Sequence, residues 1–98
     1  MITHVVMFRW RSEMPPGQVE RIVATLASLP ATIDSIRSYA CGPDVGLAGA
    51  ANYDFAVSAT FDDIDGWRTY DTDAEHERVR AEEIRPWIAD RASVQFES

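Results

Sequence analysis

The sequence predicts an α+β domain in which the order β-α-β occurs twice and four strands join one antiparallel sheet. Three observations predict it. Strand-like stretches open and close the chain, from Ile2 to Trp10 and from Ser93 to Glu97. A third stretch, Tyr53 to Phe61, alternates cleanly between bulky apolar and small groups. Two segments between the strands carry apolar residues at helical spacing.

Ile2 to Trp10 is apolar at both parities, with Ile2, Val6, Phe8 and Trp10 on one side and Val5 and Met7 on the other. A strand of this kind is covered on both faces. His4 shares the side of Val6 and Phe8. Ser12 to Gly17, with Pro15 and Pro16, makes a turn. Gln18 to Leu29 follows as a helix whose stripe is Val19, Ile22, Val23, Leu26 and Leu29, stopped by Pro30. Ile36 to Cys41 is the second strand, ended by the turn Gly42-Pro43-Asp44. The Gly- and Ala-rich run Val45 to Asn52 reads as a mobile loop over one end of the sheet, either a lid or a plain connector.

In the third strand Tyr53, Phe55, Val57, Ala59 and Phe61 form the bulky face, and Asp54, Ala56, Ser58 and Thr60 form the small one. Asp62 and Asp63 suit the positive N-terminus of the next helix. In that helix Ile64, Trp67 and Tyr70, spaced by three, are expected to point inward together. Asp73 is a good N-cap for a further helix from Ala74 to about Arg85, ended or kinked by Pro86. Val94 and Phe96 mark the final strand. Four strands with helices on one face describe a ferredoxin-like sandwich, one domain over residues 1–98.

The helices cover one sheet face. The other face, with Val5, Met7, Ala56 and either Val94 or Phe96, is too apolar for water. A domain of 98 residues buries only about 60–65% of its unfolded surface. Two sheets packed face to face in a homodimer, hiding roughly 1,600 Å² or more, meet both needs.

Composition removes several functions. A net charge of −7 argues against nucleic acid. All nine basic residues are arginine, so no lysine is present to form a Schiff base. No apolar run approaches 18 residues, so no membrane span is expected. Met1 leads straight into strand-like sequence and Cys41 is the lone cysteine, so a reducing cytoplasmic setting is expected. The two histidines lie far apart in sequence and give no metal-ligand spacing. No phosphate-binding or dinucleotide motif is present. Neither a metal nor a cofactor is expected. A lone cysteine on a strand reads as packing.

The remaining chemistry lies in Tyr70-Asp71-Thr72-Asp73-Ala74-Glu75-His76. With His76 at zero on its helix, Val79 falls at about −60° and Ile84 at about +80°, so His76 sits within the apolar arc. Arg80 and Glu83 fall on the same arc, which implies either a pair at its edge or an irregular helix. Tyr70 lies across a helix break, so both side chains can reach one cavity, with His4 nearby. His76 reads either as a general base or as a structural histidine hydrogen-bonded to backbone or tyrosine. Tyr70 reads either as a hydrogen-bond donor to a carbonyl oxygen or as a core tyrosine. Phe8, Trp10, Phe55, Val57, Phe61, Trp67, Val79 and Trp87 are the expected apolar and aromatic surroundings.

The order and spacing of His4-Val5-Val6-Met7-Phe8, Gly42-Pro43-Asp44, Tyr53-Asp54, Phe61, Tyr70, His76 and Arg85-Pro86 resemble the stress-responsive A/B barrel domain family over nearly the whole chain. The resemblance implies a dimeric α+β barrel. It also implies a pocket between sheet and helices. In a plant polyketide cyclase of the family, olivetolic acid cyclase, such a pocket carries out an aldol condensation. The tyrosine and histidine of that enzyme match Tyr70 and His76, and a further pocket histidine matches His4. Another of its pocket histidines falls on Phe55, where this chain departs. Two functions follow: cyclisation or isomerisation of a small carbonyl compound without a cofactor, or binding of a hydrophobic small molecule by a non-catalytic stress-responsive dimer.

Overall fold

The computed structural model describes residues 1–98. The elements are β1 (Ile2–Trp10), α1 (Gln18–Ala27), β2 (Ile36–Pro43), β3 (Phe55–Phe61), α2 (Ile64–Asp71), α3 (Ala74–Val79) and β4 (Ile88–Glu97). The sheet order is β2-β3-β1-β4, with every neighbouring pair antiparallel. This is the expected ferredoxin-like α+β sandwich.

Strand pleating divides the sheet into two environments. Ile2, His4, Val6 and Phe8 of β1 and Phe55, Val57, Ala59 and Phe61 of β3 are buried toward the helices. Ile22 and Leu26 of α1, Leu29, Ile33, Tyr70, Val79 and Ile84 complete that layer. On the opposite face Val5 and Met7 are half-buried and Ala56 is exposed. Val94 and Phe96 are two residues apart, so the pleat turns both outward, where they are 54% and 47% exposed.

Several boundaries differ from expectation. The Leu29 end of the first predicted helix is a 3-10 turn, Leu29–Ala31, because Pro30 supplies no backbone N–H. The second strand runs on to Pro43 and the third starts at Phe55. The last strand begins at Ile88, five residues before the predicted start, because pairing with β1 carries the polar stretch 89–93 as strand. Ile64 is 53% exposed and does not join Trp67 and Tyr70 inside. It stands in the first turn of α2, beyond the edge of the core.

The irregular helix implied by Arg80 and Glu83 is a π-helical turn, Arg80–Ile84, continuing α3. In a regular α-helix Val79 and Ile84 are about 140° apart, at opposite edges of the apolar arc. A π turn bonds residues five apart and brings the two closer to one face. Val79 and Ile84 are 0% and 3% exposed, and Arg80 and Glu83 turn to polar partners. Gln18, buried at the start of α1, donates to the Glu83 carbonyl at 3.0 Å and ties the two helical layers together.

Side-chain caps set the starts of α2 and α3, and the second marks the break between them. Asp63 accepts from the Gly66 N–H at 2.8 Å, and Asp73 accepts from the His76 N–H at 2.9 Å. An N-cap of this type contributes about 1 kcal/mol. Asp73→Ala is expected to lower stability by about that amount, and Asp73→Asn, which keeps the acceptor, to stay near wild type. Urea unfolding of the two variants checks this, and equal losses in both would show that the cap is not the source.

Candidate functional site

Between the helix-facing side of the sheet and α2, α3 and the π turn lies a cavity of about 300 Å³. That is the lower end of the range for small-molecule sites. His4, Tyr39, Trp67, Tyr70, His76 and Gln95 supply its polar and aromatic wall. Val6, Phe8, Leu26, Val57, Ile84 and Ile88 supply its apolar wall. Asp71 and three arginines, Arg80, Arg85 and Arg91, complete the lining.

The structure brings His4, Tyr70 and His76 together. The Tyr70 and His76 rings stack with centroids 3.9 Å apart and planes 26° from parallel. His4 meets Tyr70 edge-on at 5.8 Å. The link from Tyr70 to His76 runs through the tyrosine backbone: His76 Nδ1 lies 2.8 Å from the Tyr70 carbonyl oxygen. A carbonyl can only accept, so Nδ1 carries the hydrogen and Nε2 is left with a lone pair. His4 has the opposite tautomer. Its Nδ1 accepts from Trp67 Nε1–H at 3.4 Å and from the Gln95 amide at 2.9 Å, so Nε2 carries the hydrogen. Neither Nε2 atom has a hydrogen-bond partner or is sealed from solvent. One wall of the cavity therefore holds an imidazole acceptor and an imidazole donor.

The Tyr70 hydroxyl lies 3.0 Å from the Tyr39 hydroxyl. One hydroxyl hydrogen is used between them and the other remains free to donate. Burial pushes both phenols above their ordinary range, so they stay protonated donors. Burial also holds both imidazoles down. His4 falls from 6.5 to about 4 through burial first and then the charge of Arg91. His76 is lowered by burial against the opposing pull of its bond to the Tyr70 carbonyl. At neutral pH both rings are neutral.

Phe8, Val57 and Trp67 line the cavity as the sequence suggests. Phe55, Phe61 and Val79 are 1%, 0% and 0% exposed in the solid core and do not reach the cavity, because helix packing closes over them. Trp87 is also outside it. The 3-10 turn Arg85–Trp87 swings that side chain away from the direction a continued helix would give it. Trp10 stacks on Phe8 at 5.4 Å, outside the lining. Cys41 is half-buried beside the core, and burial pushes its thiol up. The Val45 to Asn52 loop does not border this cavity. Arg9 fastens it through the Ala51 and Asn52 carbonyls at the far end of β1.

Tyr39, Gln95, Arg80, Arg85 and Arg91 were not foreseen. The signal for Gln95 and Arg91 lies in β4. Its inward parity is polar (Arg91, Ser93, Gln95) and its outward parity apolar (Ala92, Val94, Phe96), the reverse of β3. All three residues are exposed on this edge strand, so a polar stripe on the helix-facing parity marks where the helices leave the sheet open.

Because the His4 pKa is lower in the folded than in the unfolded chain, the unfolded state binds the proton first as pH falls. The stability associated with neutral His4 is complete above pH 6.5, declines as pH falls toward about 4, and is gone below it. Urea midpoints measured from pH 7 to 4 should therefore fall more steeply for wild type than for His4→Gln. Parallel curves would mean that His4 titrates as in a free peptide.

The family model for the stress responsive A/B barrel domain matches residues 2–98. A dimeric ferredoxin-like protein of unknown function from Thermobifida fusca is 45% identical, with 99% of this chain and 90% of that chain covered and a TM-score of 0.90. A dimeric protein of the same fold and unknown function from Bacteroides fragilis is 24% identical, with 99% and 95% covered and a TM-score of 0.85. The hydroxynitrile lyase of Passiflora edulis is 19% identical, with 97% and 90% covered and a TM-score of 0.82, a likeness of fold. No curated protein sequence matches this chain. The match of the family model from Ile2 to Ser98, on a four-stranded sheet that carries His4 beneath the helices bearing Tyr70 and His76, makes the chain a member of the stress-responsive A/B barrel domain family.

Proposed function

We propose that the protein catalyses cofactor-independent acid–base chemistry on a small carbonyl compound, in the manner of an aldol cyclisation or isomerisation. The opposite tautomers of His76 and His4 at one cavity wall carry this reading. His76 Nε2 takes a proton from a carbon next to the carbonyl, and the C–H electron pair moves to make an enolate. The developing oxygen anion is met by His4 Nε2–H and by the free hydroxyl hydrogen of the Tyr39–Tyr70 pair. In a cyclisation the enolate carbon attacks a second carbonyl of the same molecule, a C–C bond forms, and the new alkoxide takes the proton back from His76. In an isomerisation the proton returns to a different carbon. The apolar wall of Val6, Phe8, Val57 and Ile88 suits an aromatic or short aliphatic body.

A surrogate ketone tests the chemistry. In D₂O the enzyme is expected to speed hydrogen exchange at the α-carbon of phenylacetone, followed by NMR. His76→Ala should reduce the rate by roughly 10²–10⁴-fold and Tyr70→Phe by a smaller factor. Exchange equal in wild type and His76→Ala would leave the binding of an apolar ligand as the function.

The same reading extends to assembly. We infer a homodimer through the outer sheet face, from the half-buried Val5 and Met7 and the exposed Val94 and Phe96, and from the dimeric descriptions of the Thermobifida and Bacteroides relatives. Met7→Asp or Ala56→Asp puts an unpaired charge in that contact and should shift sedimentation to the monomer. A stable dimer in both variants would move the interface elsewhere.

A further inference from the structure

We propose that the cavity selects anionic ligands, and that Arg91 holds the carboxylate of a small aromatic or short-chain acid whose reacting end lies at His4 and His76. The inference rests on the acid–base reading for the position of the reacting end.

The lining contains three arginines and one aspartate in a chain of net charge −7. Two of the arginines are already neutralised. Arg80 bonds Asp71 at 2.8 Å and Glu77 at 3.2 Å. Arg85 bonds Glu77 at 2.6 Å. Arg91 has no carboxylate within ion-pairing distance, and its guanidinium makes one hydrogen bond, to the Ser93 hydroxyl at 3.2 Å. The cavity thus has one cation free to take a ligand, and a guanidinium suits a carboxylate through paired N–H donors.

The register fixes where that charge lies. Arg91 stands opposite Phe8, and Gln95 opposite His4, on the inward parity of β4. Four residues of strand separate their Cα atoms by about 13 Å. The apolar residues Val6, Phe8 and Ile88 lie at the Arg91 end and between the two polar ends. A ligand that reaches both ends has a carboxylate, an apolar body of about one ring, and a reacting carbon, which also suits a cavity of about 300 Å³. Arg91 is close enough for its charge to bear on the His4 ring. Neutralising it with a bound anion should make His4 easier to protonate.

Two probe pairs test this on the whole protein: phenylacetate with phenylacetamide, and 3-phenylpropanoate with 3-phenylpropanamide, titrated by NMR at pH 7 and low salt. Each acid is expected to bind roughly tenfold more tightly than its amide. The preference should shrink in 0.5 M salt, disappear in Arg91→Gln with amide affinity unchanged, and survive in part in Arg91→Lys. The His4 ring should titrate at higher pH with the acid bound. Equal binding of acid and amide, binding of neither, or a preference kept by Arg91→Gln would overturn the proposal. A charge preference with no α-proton exchange would remove the catalytic reading alone. Exchange with no charge preference would remove the anion site alone.

Discussion

The site depends on the interruption between α2 and α3. Tyr70 lies in the last turn of one helix and His76 in the first turn of the next. A continuous helix would place side chains six residues apart about 120° away from one another. The break instead lets the two rings stack, and it leaves the Tyr70 carbonyl with one long backbone bond, from the Asp73 N–H at 3.3 Å, so that it can also accept from His76 Nδ1. Asp73 holds the break in place through the His76 N–H, so one carboxylate fixes the backbone of the residue whose ring it does not touch. The tautomer of His76 is therefore a consequence of helix capping.

The opposite tautomer of His4 comes from a different layer. Trp67 on α2 and Gln95 on β4 approach the same ring nitrogen from two sides. The two histidines, the two tyrosines, Trp67 and Gln95 come from β1, β2, β4, α2 and α3, and no two of them are neighbours in sequence. The π turn adds to this arrangement. It lets Ile84 reach the core while Arg80 stays at the cavity, bonded to Asp71.

The sheet and helices were legible because hydrophobic periodicity reports burial directly. The alternation from Phe55 to Phe61 and the stripe of α1 follow strand and helix geometry. His76, Tyr70 and His4 were legible because each polar ring sits on an apolar face. The rest depends on tertiary register. Tyr39 meets Tyr70 only because β2 pairs with β3, and Arg91 reaches the cavity only because β4 begins at Ile88. Phe55, Phe61 and Val79 show the opposite error. Periodicity tells that a residue is buried, and not whether it meets a neighbour or an empty volume.

The two-residue repeat of β1 separates two kinds of inheritance. Ile2, His4, Val6 and Phe8 belong to the covered side, and Thr3, Val5, Met7 and Arg9 to the outer side. A substitution at His4, Val6 or Phe8 alters the cavity wall, and one at Val5 or Met7 alters the outer face of the sheet. The two properties are written in alternate letters of one nine-residue word. A lineage can reshape the cavity while keeping its outer face, or change its outer face while keeping the cavity. A single-residue insertion in the middle of β1 would exchange both at once.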